Sequence, residues 1–128
     1  MAEVMEIYVC KRCGNIVEVL TGGGGTLVCC GTEMALQKEN TVDAAKEKHV
    51  PVVKIDGNKI TVQVGSTLHP MTDEHFIAWI EVIENGKLKR AELKPGDEPK
   101  AEFCKSDKDY AVRAYCNLHG LWKECGLS

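Results

Sequence analysis

Four cysteines lie within the first 36 residues, a segment with few other residues that could form a core. Cys10 and Cys13 form a Cys-x-x-Cys pair, and Cys29 and Cys30 are adjacent. Units shorter than about 40 residues rarely fold on apolar burial alone and usually need disulfides or a metal. A tetrathiolate metal site contributes on the order of 10 kcal/mol or more to folding. The sequence therefore predicts a metal-organised domain over residues 1–36.

Cysteine content and charge narrow the functional classes. The chain has seven cysteines, and this odd count without a recognisable signal peptide favours metal ligation over disulfides and predicts a cytoplasmic protein. The longest apolar runs, such as FIAWI, have the length of strands, so no membrane span is expected. A formal net charge of −3 provides no basic surface for nucleic acid, so no nucleic-acid partner is expected.

The cysteine spacing predicts a tetrahedral site for zinc or iron. A Cys-x-x-Cys turn followed by Gly14 supplies two sulfurs, and the segment VCCGTEM supplies two more. Ordinary zinc ribbons use two separated pairs, whereas Cys29 and Cys30 are neighbours. Neighbouring side chains of an extended chain point to opposite faces, so both bind one ion only where the backbone bends. Such a bend should distort the tetrahedron, and a vicinal disulfide is the alternative.

From residue 50 onward the sequence predicts strands, and we expect residues 37–128 to form a seven-stranded immunoglobulin-like β-sandwich. Turn signals such as DGN, NG and KPGD separate several of the candidate strands. The candidates are VPVVKI, KITVQV, HFIAWIEVI, KLKRAEL, KAEFC, DYAVRAYC and GLWKEC. HFIAWIEVI is apolar on both faces and should be a central strand. TVDAAKEKH, residues 41–49, is the one segment with helical character, for one or two turns.

All four histidines lie in the second region, at the ends of predicted strands or in loops. They are His49, His69, His75 and His119, and Cys116 precedes the last of them by three residues. Loops at one end of a sandwich converge in space, so these five donors can gather at one site. A structural zinc site closes with four ligands. An imidazole-rich set with a soft axial thiolate instead suits a redox-active iron or copper with one open position.

Five segments resemble those of desulfoferrodoxin, the two-iron form of superoxide reductase: CKRCGN, VCCGTEM, ENTVDAAKEKHVPV, HPMTDEHFIAWIE and YCNLHGLWK. The resemblance implies a desulforedoxin-like tetrathiolate iron domain over residues 1–36 and a superoxide reductase β-sandwich domain with the catalytic iron over residues 37–128. The ligands that it implies for the first iron are Cys10, Cys13, Cys29 and Cys30. Those that it implies for the second are the equatorial imidazoles of His49, His69, His75 and His119, with Cys116 as the axial thiolate.

The resemblance also implies an activity. Family members are non-haem iron oxidoreductases that reduce superoxide to hydrogen peroxide by one electron, with two protons taken up and no dioxygen produced. This reaction detoxifies superoxide in anaerobes. The members are typically homodimers, and rubredoxin often supplies the electrons.

The same resemblance implies roles for Glu47 and Lys48, which precede His49. Glu47 resembles the carboxylate that binds the ferric iron after turnover. Lys48 would place a positive charge near the open coordination position. At about 7 Å and an effective dielectric near 20, that charge attracts an anion by roughly 2 kcal/mol. We therefore expect Lys48 to recruit superoxide to a protein that is acidic overall.

The chain departs from the family pattern at Ala114. Family members often read Arg-Glu-Tyr-Cys-Asn before the last histidine, whereas this chain reads RAYCN. Residues 114 and 116 of a strand project to the same face, so we expect Ala114 close to Cys116. Cys104 and Cys125 belong to neither ligand set and are expected to be ordinary strand residues.

Two other functional classes stay open. A non-catalytic iron or copper electron-transfer protein would also combine a sandwich with a late Cys-x-x-His pair, but a copper site would leave two imidazoles unexplained. A zinc-ribbon binding module is disfavoured by the acidic balance and by the adjacent cysteines. Metal content and the visible spectrum discriminate among the three classes.

Overall fold

A computed structural model of the chain describes residues 4–38, 51–65, 69–105, 109–117 and 120–126. Within these ranges every regular element is a β-strand, which confirms the predicted mainly β fold. The chain divides into two compact units, Met1–Lys38 and Glu39–Ser128. The helical turns expected at residues 41–49 lie outside the described residues. The part of the chain that is described contains no helix with the length and apolar character to cross a membrane.

The N-terminal unit consists of short strands around a very small core. Its strands are β1 (Ile7–Val9), β2 (Ile16–Glu18), β3 (Val28–Cys29), β4 (Thr32–Glu33) and β5 (Ala35–Leu36). β1 lies between β2 and β5 in an antiparallel sheet, and β3 pairs with β4 as a separate hairpin. Among the described residues of this unit, the buried apolar ones are Ile7, Tyr8 and Cys10. Such a core is too small to hold the unit folded without a further cross-link.

The C-terminal unit contains seven strands in its described residues. They are β6 (Pro51–Asp56), β7 (Lys59–Val64), β8 (Ile77–Glu84), β9 (Lys87–Glu92), β10 (Lys100–Cys104), β11 (Tyr110–Cys116) and β12 (Gly120–Gly126). They form an antiparallel three-stranded sheet in the order β10-β7-β6 and an antiparallel four-stranded sheet in the order β12-β11-β8-β9. Each of the seven predicted strand segments overlaps one of these strands.

The core of this unit lies between the two sheets. Alternate residues of β7, namely Ile60, Val62 and Val64, are completely buried, as the period of two in a half-buried strand requires. They belong to one apolar cluster with Ile80 of β8 and Val112 of β11. β8 lies between β11 and β9, which confirms its prediction as a central strand. The hairpin from β8 to β9 turns through Asn85 (φ 50°) and Gly86 (φ 75°), the left-handed pair that the NG signal predicts.

A buried charge cluster crosses three strands of the four-stranded sheet. Glu81 of β8 is fully buried, and its cross-strand neighbours are Arg113 of β11 and Arg90 of β9. Arg113 donates from Nε (3.0 Å) and Nη2 (2.7 Å) to Glu81 Oε1, and Arg90 Nε donates to Oε2 (2.9 Å). A shift of register by one residue would separate these charges, so the cluster fixes the pairing of the strands that lead to and from the site.

Candidate metal centres

Four sulfur atoms converge in the N-terminal unit. One ligand atom from each of Cys10, Cys13, Cys29 and Cys30 lies within 4.8 Å of the others. The sulfurs of Cys13 and Cys29 are 3.6 Å apart, and those of Cys29 and Cys30 are 4.0 Å apart. A tetrahedral site with metal–sulfur bonds of about 2.3 Å has sulfur–sulfur distances of about 3.8 Å. The arrangement therefore fits a four-coordinate metal. It also excludes a vicinal disulfide between Cys29 and Cys30, because their separation is about twice an S–S bond length.

The first two cysteines come from a tight turn. The Gly14 N–H donates to the Cys10 carbonyl (2.8 Å), and the Cys10 N–H donates to the Asn15 carbonyl (2.9 Å). Gly14 has a φ of 84°, so it occupies the left-handed region that glycine enters without strain. This turn brings the side chains of Cys10 and Cys13 close together, so that both sulfurs can bind one ion.

The adjacent cysteines are accommodated by a two-residue hairpin loop. β3 ends at Cys29, β4 begins at Thr32, and the loop residues Cys30 and Gly31 have φ angles of 52° and 75°. Two consecutive left-handed residues define the turn that matches the twist of a hairpin. This turn is the local backbone bend that was expected if two neighbouring cysteines bind one ion. Cys30 is a non-glycine residue in a region that costs roughly 1–2 kcal/mol, so the ligand is held in a strained backbone conformation.

Three of the four thiols have shifted pKa values before a metal binds. Hydrogen bonds from the backbone N–H groups of Cys13 and Arg12 lower the pKa of Cys10 to about 6. Hydrogen bonding to the sulfurs of Cys13 and Cys29 raises the pKa of Cys30 to about 12. The same kind of contact, chiefly with Cys13, raises the pKa of Cys29. Cys10 therefore forms a thiolate readily at neutral pH, whereas Cys29 and Cys30 need a bound cation to ionise there.

A second group of metal-ligand side chains lies in the C-terminal unit. Ligand atoms of His69, His75 and Cys116 lie within 4.8 Å of one another. Cys116 is completely buried and His69 is 3% exposed. The two imidazole rings are perpendicular, with centroids 4.6 Å apart. His69 Nδ1 lies 2.7 Å from the Pro70 carbonyl. Because a carbonyl can only accept, Nδ1 carries the proton and Nε2 keeps its lone pair, the tautomer typical of a metal ligand.

The donor set fits a transition metal. The Nε2 atoms of His69 and His75 are both buried beside the Cys116 thiol, and imidazole with thiolate is a ligand combination for iron, copper or zinc. The structure thus brings together three of the five ligands predicted for the second centre and all four predicted for the first. Four other predicted site residues, Glu47, Lys48, His49 and His119, lie outside the described residues.

Comparisons with known proteins cover nearly the whole chain. The desulfoferrodoxin family model matches residues 41–125, and the model of the desulfoferrodoxin N-terminal domain matches residues 2–37. The chain is 60% identical over 126 residues to a desulfoferrodoxin of Syntrophotalea carbinolica, covering 98% of this chain and 100% of that one. The chain belongs to the desulfoferrodoxin family.

Solved structures of superoxide reductases are also similar to this chain. The crystal structure of a superoxide reductase from Treponema pallidum has a TM-score of 0.78 and 30% identity, over 93% of this chain and 96% of that one. A superoxide reductase (1Fe-SOR) from Giardia intestinalis has a TM-score of 0.59 and 34% identity, over 65% of this chain and 100% of that one. The second of these structures matches about two thirds of this chain.

A β-bulge interrupts the pairing of β11 with β8 directly before Cys116. Tyr115 pairs with Trp79, but Cys116 pairs with Ile77, so the register shifts by one residue between Tyr115 and Cys116. Tyr115 stacks on Trp79 with ring centroids 5.8 Å apart. Burial raises the pKa of Tyr115, and the neighbouring Cys116 raises it further. Bulges of this kind commonly redirect a side chain next to a functional site.

Ala114 lies where the sequence predicted. It is completely buried and belongs to the same apolar cluster as Cys116, together with Ile77 and Ile80. Position 114 is therefore part of the apolar surroundings of Cys116 in this chain.

Met71 and Thr72 hold the loop that carries His75, and neither residue was predicted to do so from the sequence. The Thr72 N–H donates to the His75 carbonyl (2.9 Å), and the Thr72 hydroxyl accepts the His75 N–H (3.1 Å). Met71 Sδ accepts the Ile77 N–H (3.3 Å), and Gly96 N–H donates to the Met71 carbonyl (2.9 Å). Thr72 is followed by Asp73, and both residue types favour turns, so a turn at this place was detectable from the sequence.

Proposed function

We propose that this protein is a superoxide reductase, which converts superoxide to hydrogen peroxide by adding one electron and two protons, without producing dioxygen. The observation that carries the proposal is the convergence of His69, His75 and Cys116, of which His69 and Cys116 are buried and His75 is half-buried. It occurs in a chain whose relatives in solved structures are named superoxide reductases. An iron held by these residues would supply the one-electron chemistry.

We further propose that His49 and His119 complete the ligand set of the second iron. His119 immediately precedes Gly120, which is paired with Cys116 across the β11–β12 hairpin. His49 precedes Pro51 by two residues, and Pro51 is paired with Val64. The Val64 carbonyl in turn accepts the His69 N–H (3.3 Å). Both histidines are thus close in the chain to backbone that contacts the described ligands.

The proposed roles of the chain's own groups follow from their chemistry. The imidazole and thiolate side chains would hold an iron ion, which would supply the one-electron reduction of superoxide, and the electron-rich thiolate of Cys116 would favour that reduction. Lys48 would attract the superoxide anion, and Glu47 would offer a carboxylate ligand to the oxidised iron. We expect Lys48→Ala to slow the reaction roughly tenfold at low ionic strength and to weaken its salt dependence. Lys87, in the hairpin at the opposite end of β8, is the matched control.

The N-terminal unit is proposed to hold the first iron through Cys10, Cys13, Cys29 and Cys30, so that the chain would bind two irons. We propose domains at residues 1–36 and 37–128, in accord with family matches over 2–37 and 41–125.

We also propose that the protein is located in the cytoplasm and that a rubredoxin-like protein is its electron donor. A homodimer is proposed because exposed apolar side chains of the N-terminal unit, among them Leu20 (81%) and Val28 (61%), would be covered by a second copy.

The test combines metal analysis with rapid mixing. Two irons per chain and one hydrogen peroxide per superoxide consumed, with no dioxygen released, would agree with the proposal. Cys116→Ser should abolish this reaction, whereas Cys104→Ser should leave it unchanged because Cys104 is exposed and outside both clusters. Release of dioxygen would indicate dismutation instead. Oxidation of the reduced protein without stoichiometric peroxide would favour the alternative, a non-catalytic iron or copper electron carrier.

A further inference from the structure

Asn117 links the end of β11 to both peptide groups beside His75. The Phe76 N–H donates to Asn117 Oδ1 (2.8 Å), and Asn117 Nδ2 donates to the Glu74 carbonyl (3.0 Å). The Asn117 N–H also donates to the Phe76 carbonyl (3.1 Å). These contacts join residues more than forty positions apart in the chain. They bracket His75, because Glu74 and Phe76 are its two neighbours.

Asn117 also adjoins the other side of the centre, since it directly follows Cys116. The regular pairing of β11 with β8 ends at Cys116 and Ile77, after the bulge. Beyond that point the backbone contact continues through Asn117 and Phe76. One residue therefore connects the thiol ligand, through a single peptide bond, to the loop that carries an imidazole ligand.

The amide side chain is chemically matched to this task. Asparagine offers an acceptor and a donor on one short side chain, and here the acceptor meets an N–H while the donor meets a carbonyl. Aspartate retains the acceptor but has no donor for the Glu74 carbonyl. Alanine has neither group. Within the loop, Thr72 fixes the His75 backbone, so Asn117 positions a segment that is already rigid.

We propose that Asn117 is a positioning residue that fixes the His75 imidazole relative to the Cys116 thiolate. The inference rests on the proposed function for the identity of the metal, but its test does not depend on superoxide chemistry. Asn117 is exposed, so its replacement opens no cavity in the core. The variants Asn117→Ala and Asn117→Asp are compared with Asn58→Ala, a control in the exposed turn between β6 and β7.

Two measurements on the full-length, iron-loaded protein test the proposal. Hydrogen exchange at the Phe76 amide should become about tenfold faster in Asn117→Ala, because its hydrogen-bond acceptor is gone, and should change less than about threefold in Asn117→Asp. Loss of ferrous iron from the histidine–cysteine centre to a chelator should be about tenfold faster in Asn117→Ala and intermediate in Asn117→Asp. The absorption band of the thiolate-bound ferric iron should shift in Asn117→Ala. Asn58→Ala should match the parent protein in all three measurements.

Several outcomes would overturn the proposal. If the Phe76 amide exchanges faster in Asn117→Ala while iron retention and the absorption band match those of Asn58→Ala, the contact is only structural. Equal acceleration of iron loss in Asn58→Ala would show a general loss of stability rather than a positioning effect. If Asn117→Ala does not fold, the test uses Asn117→Asp, in which the hydrogen bond to the Glu74 carbonyl is removed. Loss of iron from this variant at the parent rate would contradict the proposal. An inactive protein that nevertheless shows the expected exchange and iron-loss pattern would contradict the proposed function and leave the positioning role supported.

Discussion

Replacing Glu81 with alanine should strongly destabilise the C-terminal unit, although glutamate substitutions usually have small effects. The Glu81 side chain is 0% exposed and that of Arg113 is 4% exposed, with 2.7 Å between Glu81 Oε1 and Arg113 Nη2. Arg90, 33% exposed, contacts the other carboxylate oxygen at 2.9 Å. The substitution removes the counter-charge that two guanidinium groups share, and one of these is buried.

The expected magnitude follows from burial. Removing one partner of a buried, hydrogen-bonded ion pair costs about 3–5 kcal/mol, whereas an exposed pair contributes about 0–1 kcal/mol. The exposed pair of Lys59 and Glu102 (3.4 Å, 55% and 62% exposed) provides the matched control, because Glu102 is also a strand residue of the same unit. Glu81→Gln, which keeps two polar atoms of similar shape, should fall between Glu81→Ala and Glu102→Ala.

Guanidinium unfolding followed by tryptophan fluorescence measures this difference directly. The two tryptophans, Trp79 and Trp122, are buried residues of β8 and β12, so the signal reports on the four-stranded sheet. The iron-loaded proteins should be compared at one pH and one metal content. A free energy of unfolding for Glu81→Ala within 1 kcal/mol of that for Glu102→Ala would refute the reasoning, since it would mean that the buried cluster contributes no more than a surface pair.

Three further predictions concern other parts of the chain. Chelation of the metal should accelerate hydrogen exchange throughout residues 4–38 and leave β8 and β11 protected, because the N-terminal unit has so few buried apolar side chains; equal loss of protection in both units would contradict this. Ala114→Glu should destabilise the C-terminal unit even near pH 4, because a larger polar side chain enters a buried apolar position, and by a few kcal/mol more at pH 8, because burial raises the pKa of the new carboxyl and its ionisation then opposes folding; a pH-independent difference from the parent would exclude the ionisation effect. Gly86→Ala should destabilise the β8–β9 hairpin by about 1–2 kcal/mol, whereas Asn85→Gly should change the unfolding free energy by less than about 0.5 kcal/mol, because both positions need a positive φ.

The strand pattern could be predicted from the sequence because it depends on local signals. Alternation in KITVQV predicts the buried set of Ile60, Val62 and Val64, and the NG pair predicts the left-handed turn at Asn85. The four sulfurs of the N-terminal unit were equally predictable, because short spacings limit where the side chains can lie. The adjacent cysteines required a bend, and the hairpin loop through Cys30 supplies it.

Features that depend on contacts between distant segments of the chain could not be predicted from the sequence. Glu81 resembles a surface residue in sequence, because only the pairing of β11 and β9 with β8 brings two arginines to it. Asn117 is separated from Phe76 by 41 positions, and no local pattern indicates their hydrogen bond. The bulge beside Cys116 is also a property of strand pairing. Tertiary register therefore determines the part of the site that local sequence leaves undetermined.

The small core of the N-terminal unit would make the lifetime of this segment depend on the supply of its metal. With so few apolar side chains buried there, the folded segment would exist in a cell only while its cysteines hold an ion. Under iron starvation, newly made chains would present an extended N-terminal segment to proteases. The cellular amount of full-length protein would then follow iron availability without any change in its synthesis.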